Sequence, residues 1–202
     1  MFISFVCCNP CGTLTAGLIV IKYNSRWTEH KFMNELNKAK QIELSGKARN
    51  RALVNFRKQI SKWSIAIPEI EPLVLDFGLG QFDSVGHVES WIANEIEAGY
   101  CGKYLFVADG QTCPMHFHKQ KHETFFVVQG QVKVVFDGES VSLKKGDVLP
   151  VPPLFKHSFT GLGPALLLEL SQPCVIDDNF FEDSRILIGG NYKGNKNKYP
   201  DL

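Results

Sequence analysis

The chain lacks a long hydrophobic run, an excess of either charge and a regularly spaced set of cysteines. Its 202 residues carry 22 Lys and Arg against 21 Asp and Glu, which gives a formal net charge of +1. This balance provides no electrostatic footprint for nucleic acid or for an acidic membrane surface. The 44% hydrophobic content is enough for one domain with a full core. We therefore expect a small-molecule partner, with no nucleic acid and no membrane.

The first 32 residues contain an apolar stretch that fits neither a signal peptide nor a membrane span. The stretch lacks a positively charged start and a small-residue cleavage site, and Asn9-Pro10 and Gly12 interrupt it. It is also too short and too broken to cross a bilayer. Met33 opens an ordinary polar N-terminus. Residues 1–32 are therefore predicted to be a dispensable extension or a mis-assigned upstream start.

The six cysteines include one close cluster, formed by Cys7, Cys8 and Cys11. No second pair of Cys or His follows at the spacing of a zinc finger, so the cluster does not predict a zinc site. Reduced thiols are the simpler interpretation, and they are typical of a cytoplasmic protein.

Residues 33–70 are predicted to form a helical arm. They are rich in helix formers, and Gly46 is a predicted break between two helices. Four apolar residues recur at a helical interval: Ala52, Leu53, Phe56 and Ile60. One face of this arm should therefore pack against the rest of the protein.

Residues 71–188 have the texture of a compact, mainly β unit. Short runs rich in Val, Leu and Phe are separated by Gly, Asp and Pro, which is typical of a sandwich or small barrel. The predicted strands are LVLDF, YLFVA, TFFVVQG, KVVF, SVSL, DVLPV, HSFT and ALLLELS. Asp137-Gly138 predicts a tight type I′ hairpin, because this pair tolerates positive φ. Residues 189–202 form a polar tail.

Four metal-capable side chains lie in two segments of the β unit. In GQTCPMHFHKQKHETFFVVQG, His116 and His118 are two positions apart, so on a strand both side chains leave the same face. Glu123 follows at the head of another strand, and His157 follows the proline-rich turn of GDVLPVPPLFKHSF. Three imidazoles and one carboxylate inside a barrel suit Mn, Fe, Co, Ni or Zn, with positions left open for substrate oxygens.

The two segments resemble the two sequence motifs of the cupin superfamily. The matching residues of the first motif, in order and spacing, are Gly110, His116, His118, Glu123 and Gly130. The second motif runs from Gly146 through Pro152 to His157, and departs from the pattern at Pro153-Leu154, where a glycine is usual. The resemblance implies a double-stranded β-helix, or jelly-roll barrel, with His116, His118, Glu123 and His157 as metal ligands.

The flanking sequence resembles the D-lyxose isomerase family of cupins, over about residues 70 to 185. The resemblance rests on these segments: Asp76-Phe77-Gly78-Leu79-Gly80, Phe82, Val85-Gly86, Gly110-Gln111-Thr112, Pro114–His118, Lys121, Glu123, Glu169-Leu170-Ser171 and Asp177–Phe180. It implies a manganese-dependent aldose–ketose isomerase, acting on D-lyxose and D-xylulose and often on D-mannose and D-fructose. It also implies a homodimer.

Two residues are predicted to carry the chemistry and to bind the sugar. Glu169 interrupts the apolar strand Ala165–Leu170, and if its face lines the barrel it is placed to act as the general base. Lys121 lies two residues before Glu123, a spacing that lets both side chains enter one pocket, where the ammonium would bind a sugar oxygen or stabilise an enediolate.

Several other polar residues are weaker candidates. Asp76 is predicted to bind substrate, with an ordinary turn aspartate as the alternative. The segment Asp177-Asp178-Asn179 either caps the C-terminal segment or touches the substrate. His122 should point away from the ligand face, and His30 and His87 are assigned structural roles because no motif surrounds them.

Two other functions fit the same four ligands. A cupin dioxygenase would use them to bind iron and would favour a more apolar pocket. A non-catalytic cupin would bind a metal or a sugar without turnover. Fold alone does not separate these functions.

Overall fold

The computed structural model describes residues 34–191 in full and, for the backbone alone, strands β1 (Ile3–Cys8) and β2 (Leu14–Ile19). These two strands pair antiparallel with each other, with Ile3 opposite Ile19 and Cys8 opposite Leu14. The remainder of the predicted extension, and the polar tail beyond Asn191, lie outside the described residues. In the described part of the chain, no helix combines the length and the apolar character that crossing a membrane requires.

The predicted helical arm is helical. Residues 34–39 form helical turns that continue into a 3-10 turn at Lys40–Ile42, and helix α1 covers Gly46–Lys62. The buried residues of α1 are those expected from the sequence: Ala52, Leu53, Phe56 and Ile60. Phe56 meets Phe106 edge-on, with ring centroids 5.4 Å apart. This apolar face fixes α1 against the outer surface of the larger sheet.

Eleven further strands form two antiparallel sheets. The larger has the order β10-β7-β12-β5-β4-β3, with strands Leu73–Leu75 (β3), His87–Glu95 (β4), Tyr100–Val107 (β5), Glu123–Gln129 (β7), Val148–Val151 (β10) and Ala165–Ser171 (β12). The smaller has the order β13-β6-β11-β8-β9, with strands Thr112–His118 (β6), Gln131–Phe136 (β8), Glu139–Lys144 (β9), His157–Gly161 (β11) and Asn179–Phe181 (β13). The mainly β fold predicted from the sequence is therefore confirmed.

The two sheets share one core, and this core surrounds the polar residues described below. Phe125 and Leu167 of the larger sheet and Val134 and Phe159 of the smaller sheet belong to the same buried cluster. Alternation along β12 sends Leu167 inward and Leu166 outward to the helix-covered face. An inward residue on these strands therefore faces the interior between the sheets.

Eight of these eleven strands were predicted. Strands β4, β6 and β13 were not in the predicted set, although the placement of His116 and His118 on one face supposed a strand at β6. The predicted Asp137-Gly138 turn joins β8 to β9, with φ of +49° at Asp137 and +86° at Gly138. Strand β4 carries the polar sequence HVES at its start, and residues 87–91 are nevertheless all buried. Its inner face turns into the core, and its outer face lies beneath α1, so alternation with solvent is absent.

Removal of residues 1–32 is expected to leave the melting temperature and activity unchanged. A chain starting at Gly46 should instead lose much of its stability, because Leu36, Ala39 and Ile42 are buried in the main core. Each buried Leu or Ile stabilises the fold by about 1.5–3 kcal/mol. Thermal unfolding of the two truncations and the full chain tests this contrast. A large loss in the shorter deletion would show that the extension is a structural element.

Candidate metal centre

The structure brings the four predicted metal ligands to one point. His116 and His118 lie on β6, Glu123 opens β7 and His157 opens β11, where it pairs directly with His116. We call these four residues the ligand cluster. One donor atom from each lies within 4.8 Å of all the others, and all four side chains are buried.

Backbone carbonyl groups orient the three imidazoles. Each Nδ1 lies at hydrogen-bond distance from a carbonyl oxygen: His116 from Pro114 (2.8 Å), His118 from Asp178 (3.0 Å) and His157 from Phe155 (3.0 Å). Because a carbonyl oxygen only accepts, each Nδ1 carries the proton and each Nε2 presents a lone pair. This is the arrangement that holds imidazole ligands in metal sites.

The inward donor atoms fit a cation. Nε2 of His118 and of His157 and Oε1 of Glu123 are buried and have no hydrogen-bond partner among the described residues. The His157 Nε2 to Glu123 Oε1 distance is 2.7 Å, and the His118 Nε2 to Glu123 Oε1 distance is 3.5 Å. Unpaired buried acceptors are unfavourable. A divalent ion would satisfy all of them, and the mixed N/O set suits the transition metals that were predicted.

Burial and neighbouring charges shift the pKa values of three members of the ligand cluster, His116, His118 and Glu123. Burial, followed by the neighbouring imidazoles, lowers the pKa of His116 well below its usual range. Burial and the Lys121 ammonium lower the pKa of His118. Burial alone would raise the pKa of Glu123, but Lys121 and the adjacent imidazoles hold it well below its usual range. His116 and His118 thus stay neutral and Glu123 stays ionised, as metal ligands must.

The position at which the second cupin motif departs from its pattern is accommodated by a left-handed backbone. Leu154, where the pattern has a glycine, has φ of +73° and an exposed side chain. Its N–H donates to the backbone oxygen of His118 at 2.7 Å. The proline-rich turn before His157 is therefore tied directly to the strand that carries two ligands.

Asp178 organises the turn between His118 and Glu123. Its carboxylate accepts hydrogen bonds from three consecutive backbone N–H groups, those of Lys119 (3.0 Å), Gln120 (3.1 Å) and Lys121 (2.9 Å). Its own carbonyl oxygen accepts from His118 Nδ1. The carboxylate of Asp178 thus caps the turn between His118 and Glu123, and its neighbour Asn179 lines the interior cavity.

Replacing Asp178 by Ala is expected to weaken metal binding by about 10–100-fold, the range for residues that orient ligands. The cause is loss of three hydrogen bonds that set the spacing of His118 and Glu123. Asp177→Ala is the matched control, because Asp177 is exposed and pairs with Lys38 at 3.0 Å. Calorimetric titration of both variants with Mn²⁺ measures the difference. Equal affinities would contradict an orienting role for Asp178.

Lys121 and Glu169 lie beside the ligand cluster, as their sequence positions suggested. Lys121 Nζ is 2.6 Å from Glu123 Oε2 and 3.0 Å from Glu169 Oε1. The hydroxyl of Ser171 also donates to Glu169 Oε1, at 3.0 Å. Burial would lower the pKa of Lys121, but the two carboxylates raise it above its usual range, so the side chain stays an ammonium. Glu169 is buried on the inner face of β12, next to Leu167.

The line of buried charges continues through residues that sequence reasoning missed. Lys103 Nζ is 3.3 Å from Glu169 Oε2 and 3.2 Å from Glu89 Oε1. Despite burial, Lys103 and then His87 hold the pKa of Glu89 well below its usual range. Burial alone would lower the pKa of Lys103, but Cys174, Glu169 and Glu89 hold it well above its usual range. We call the connected residues the charged row: Glu123, Lys121, Glu169, Lys103 and Glu89.

His87, which was assigned a structural role from the sequence, is buried at one end of the charged row. Its Nε2 lies 2.8 Å from Glu89 Oε1, and it lines the same cavity as the ligand cluster. The residue is 3% exposed. Its signal in the sequence was the alternation of His87, Glu89 and Trp91, which places three large side chains on one strand face.

Asp76, which was predicted to bind substrate, is not among the residues that line the cavity. Its two carboxylate oxygens accept the backbone N–H groups of Gly78 (2.9 Å) and Gly80 (3.2 Å). It therefore stabilises a turn, and its assignment to substrate binding is withdrawn. His122 is exposed, as expected for a residue that points away from the ligand face.

The cavity is narrow and combines the charged row with apolar walls. The space that solvent can occupy is ≈ 50 Å³, well below the roughly 300 Å³ at the lower end of small-ligand pockets. Apolar wall residues come from the arm and from the segment that follows β12: Ala39, Ile42, Ile176 and Ile188. A ligand of sugar size enters only if part of this wall moves.

Comparison with known proteins finds similarity to cupins and to sugar isomerases. The family model for the cupin domain matches residues 104–171, and the family model for D-lyxose isomerase matches residues 73–127. A D-lyxose ketol-isomerase of Cohnella laeviribosi is 29% identical over 170 residues, covering 69% of this chain and 90% of that protein. A D-lyxose/D-mannose isomerase of Thermosediminibacter oceani is 28% identical over 141 residues, covering 56% and 77%.

Solved structures agree on the fold. L-ribose isomerase of Cellulomonas parahominis, determined with L-ribose, superposes with a TM-score of 0.59 at 16% identity, covering 72% of this chain and 95% of that one. L-ribose isomerase of Acinetobacter sp. DL28, in complex with L-ribose, gives 0.56 at 16% identity, covering 65% and 82%. At such identity the likeness establishes the barrel and not the substrate.

Proposed function

We propose that this chain is a sugar isomerase of the D-lyxose isomerase family of cupins. We propose further that it interconverts D-lyxose and D-xylulose. D-Mannose and D-fructose are a second proposed pair. The proposal includes a divalent metal, with Mn²⁺ as the first choice and Fe, Co, Ni or Zn as alternatives that the same ligands accept. A cytoplasmic homodimer stays a prediction from the sequence.

The charged row is the observation that carries this proposal. An aldose–ketose isomerase needs a base at C2, a cation near the oxygens and polar groups for several hydroxyls. Glu169 and the ligand cluster are joined by one side chain, that of Lys121, with ion-pair distances of 2.6 and 3.0 Å. All five residues of the charged row line the cavity and supply charge where a polyol must bind: Glu89, Lys103, Lys121, Glu123 and Glu169.

The reaction follows from these positions. When bound, the metal supplies a Lewis acid for the carbonyl and the neighbouring hydroxyl. Glu169 removes the proton from C2, the electrons of that C–H bond form the C1–C2 double bond, and the π electrons of the carbonyl move onto O1. Lys121 stabilises the negative charge that develops on O1. Glu169 then returns its proton to C1, while the proton of the hydroxyl on C2 passes to O1, which leaves a ketone at C2 and a hydroxyl at C1.

Incubation of the purified protein with Mn²⁺ and D-lyxose, without oxygen, tests the proposal. D-Xylulose should form under these conditions. Parallel reactions with D-mannose and L-ribose establish the substrate range, the latter because the structural relatives were solved with it. A cupin dioxygenase would need oxygen, and a binding protein would produce no ketose, so absence of any ketose contradicts the isomerase assignment.

A further inference from the structure

One ring nitrogen of His87 has a hydrogen-bond partner and the other has none among the described residues. Nε2 lies 2.8 Å from Glu89 Oε1, while buried Nδ1 has no hydrogen-bond partner within the described part of the chain. Glu89 also accepts from Trp91 Nε1 (2.8 Å) and Lys103 Nζ (3.2 Å). A carboxylate with these donors acts as an acceptor, so the proton of His87 sits on Nε2 and Nδ1 offers a lone pair. Glu89 thereby fixes the tautomer.

His87 lies at the opposite end of the charged row from the ligand cluster. Glu123, Glu169, Lys103 and Glu89 occupy β7, β12, β5 and β4, which are consecutive neighbours in the larger sheet. Each step between neighbouring strands is about 4.8 Å. The row thus crosses three strand spacings, and a sugar held at the ligand cluster by its first two oxygens would extend along it.

The imidazole of His87 packs against two aromatic rings, those of Phe77 and Phe159. Its ring centroid is 5.3 Å from that of Phe77 and 6.0 Å from that of Phe159. Phe77 in turn packs on Phe181, which packs on His116, with centroids 5.5 Å apart in each pair. These rings hold His87 in place, and it lines the cavity two aromatic rings, Phe77 and Phe181, away from His116.

We propose that His87 Nδ1, with its tautomer set by Glu89, accepts a hydrogen bond from a hydroxyl of the substrate beyond C3. The inference rests on the proposed isomerase function and adds a residue that recognises the distal end of the sugar. A buried acceptor that the protein leaves unpaired penalises sugars that bring no donor to it. His87 therefore contributes to choice between substrates that share the same C1–C3 end.

The test uses His87→Gln, whose amide reaches Glu89 in place of Nε2 but has no equivalent of Nδ1. KM for D-lyxose should rise by about 3–10-fold, the worth of one hydrogen bond between neutral groups, with a smaller change in kcat. In the wild type, 4-deoxy- or 5-deoxy-D-lyxose should show a similar penalty, which His87→Gln should abolish. His122→Gln, on an exposed histidine, is the control.

Glu89→Gln provides a second variant, because it keeps the imidazole but replaces the acceptor-only carboxylate at Nε2 with an amide that can also donate, so the tautomer of His87 is no longer fixed. The same selective loss for D-lyxose over the deoxy sugars is expected. Calorimetric binding of D-lyxose to both variants gives a readout that does not need turnover, so the inference is tested even if no ketose forms. Equal losses for all sugars, unchanged binding, or no sugar binding by the wild type would each overturn it.

Discussion

Removal of the divalent metal is expected to abolish turnover, and added Mn²⁺ should restore it. The four ligands converge on one point, and three of their inward atoms are buried without a hydrogen-bond partner in the described chain. Those atoms need a cation in the folded protein. The metal-free protein should also melt at a lower temperature, because a metal that binds only the folded state stabilises it by about 3–4 kcal/mol at hundred- to thousandfold excess over Kd.

Substitution at the ligand cluster should prevent this restoration. His118→Ala and Glu123→Ala each remove one of four donor atoms, so neither variant should regain activity or the metal-dependent rise in melting temperature. His122→Ala is a matched control, since it lies beside Glu123 in sequence but is exposed. Its activity and metal content should equal those of the wild type. Full activity in chelator would contradict the assignment of a metal-dependent isomerase.

The ligand cluster was predictable because its information is local. Spacing alone places His116 and His118 on one strand face, and the turn of four residues brings Glu123 back beside them. The orienting groups are not local in this sense. Asp178 lies about sixty positions from the turn that it caps, since its bond to Lys119 joins residues separated by 59. Only the fold reveals that contact.

Lys103 and Glu89, at the end of the charged row away from the ligand cluster, could not be recognised from the sequence. Glu169 stood out because one carboxylate interrupts a run of leucines. Lys103 and Glu89 lie 14 positions apart, on neighbouring strands, and each is buried because the other neutralises it. Sequence patterns treat such residues as exposed. The same reasoning missed β4, whose polar inner residues are buried by pairing rather than by apolarity.

The aspartates near the site show another limit of prediction from the sequence. Asp76 lies two positions before Gly78, Asp178 lies between Asp177 and Asn179, and both accept several backbone N–H groups. A turn-capping carboxylate and a substrate-binding carboxylate have the same residue type and similar neighbours in sequence. What differs is the direction of the side chain, which is decided by packing between distant strands.

Glu169→Gln is expected to lower kcat by about 10²–10⁴, the range for loss of a positioned acid–base group. The fold should tolerate the change, because neither buried ammonium is left alone. Lys121 retains Glu123 at 2.6 Å and Lys103 retains Glu89 at 3.2 Å. Metal content should stay at the wild-type level, since Glu169 is outside the ligand cluster. Glu182→Gln, on a surface carboxylate paired with Lys156, is the control.

Solvent deuterium provides a second, independent measure of the role of Glu169. If this carboxylate carries the proton between C2 and C1, the wild type should incorporate deuterium at one of these carbons in heavy water, because a carboxyl proton exchanges between the two transfers. Glu169→Gln should lose both incorporation and turnover together. Near-normal turnover in the variant would transfer the role of base to another group. Near-normal turnover combined with no deuterium would favour a hydride shift between the two carbons, in which the carbon-bound hydrogen never becomes a proton.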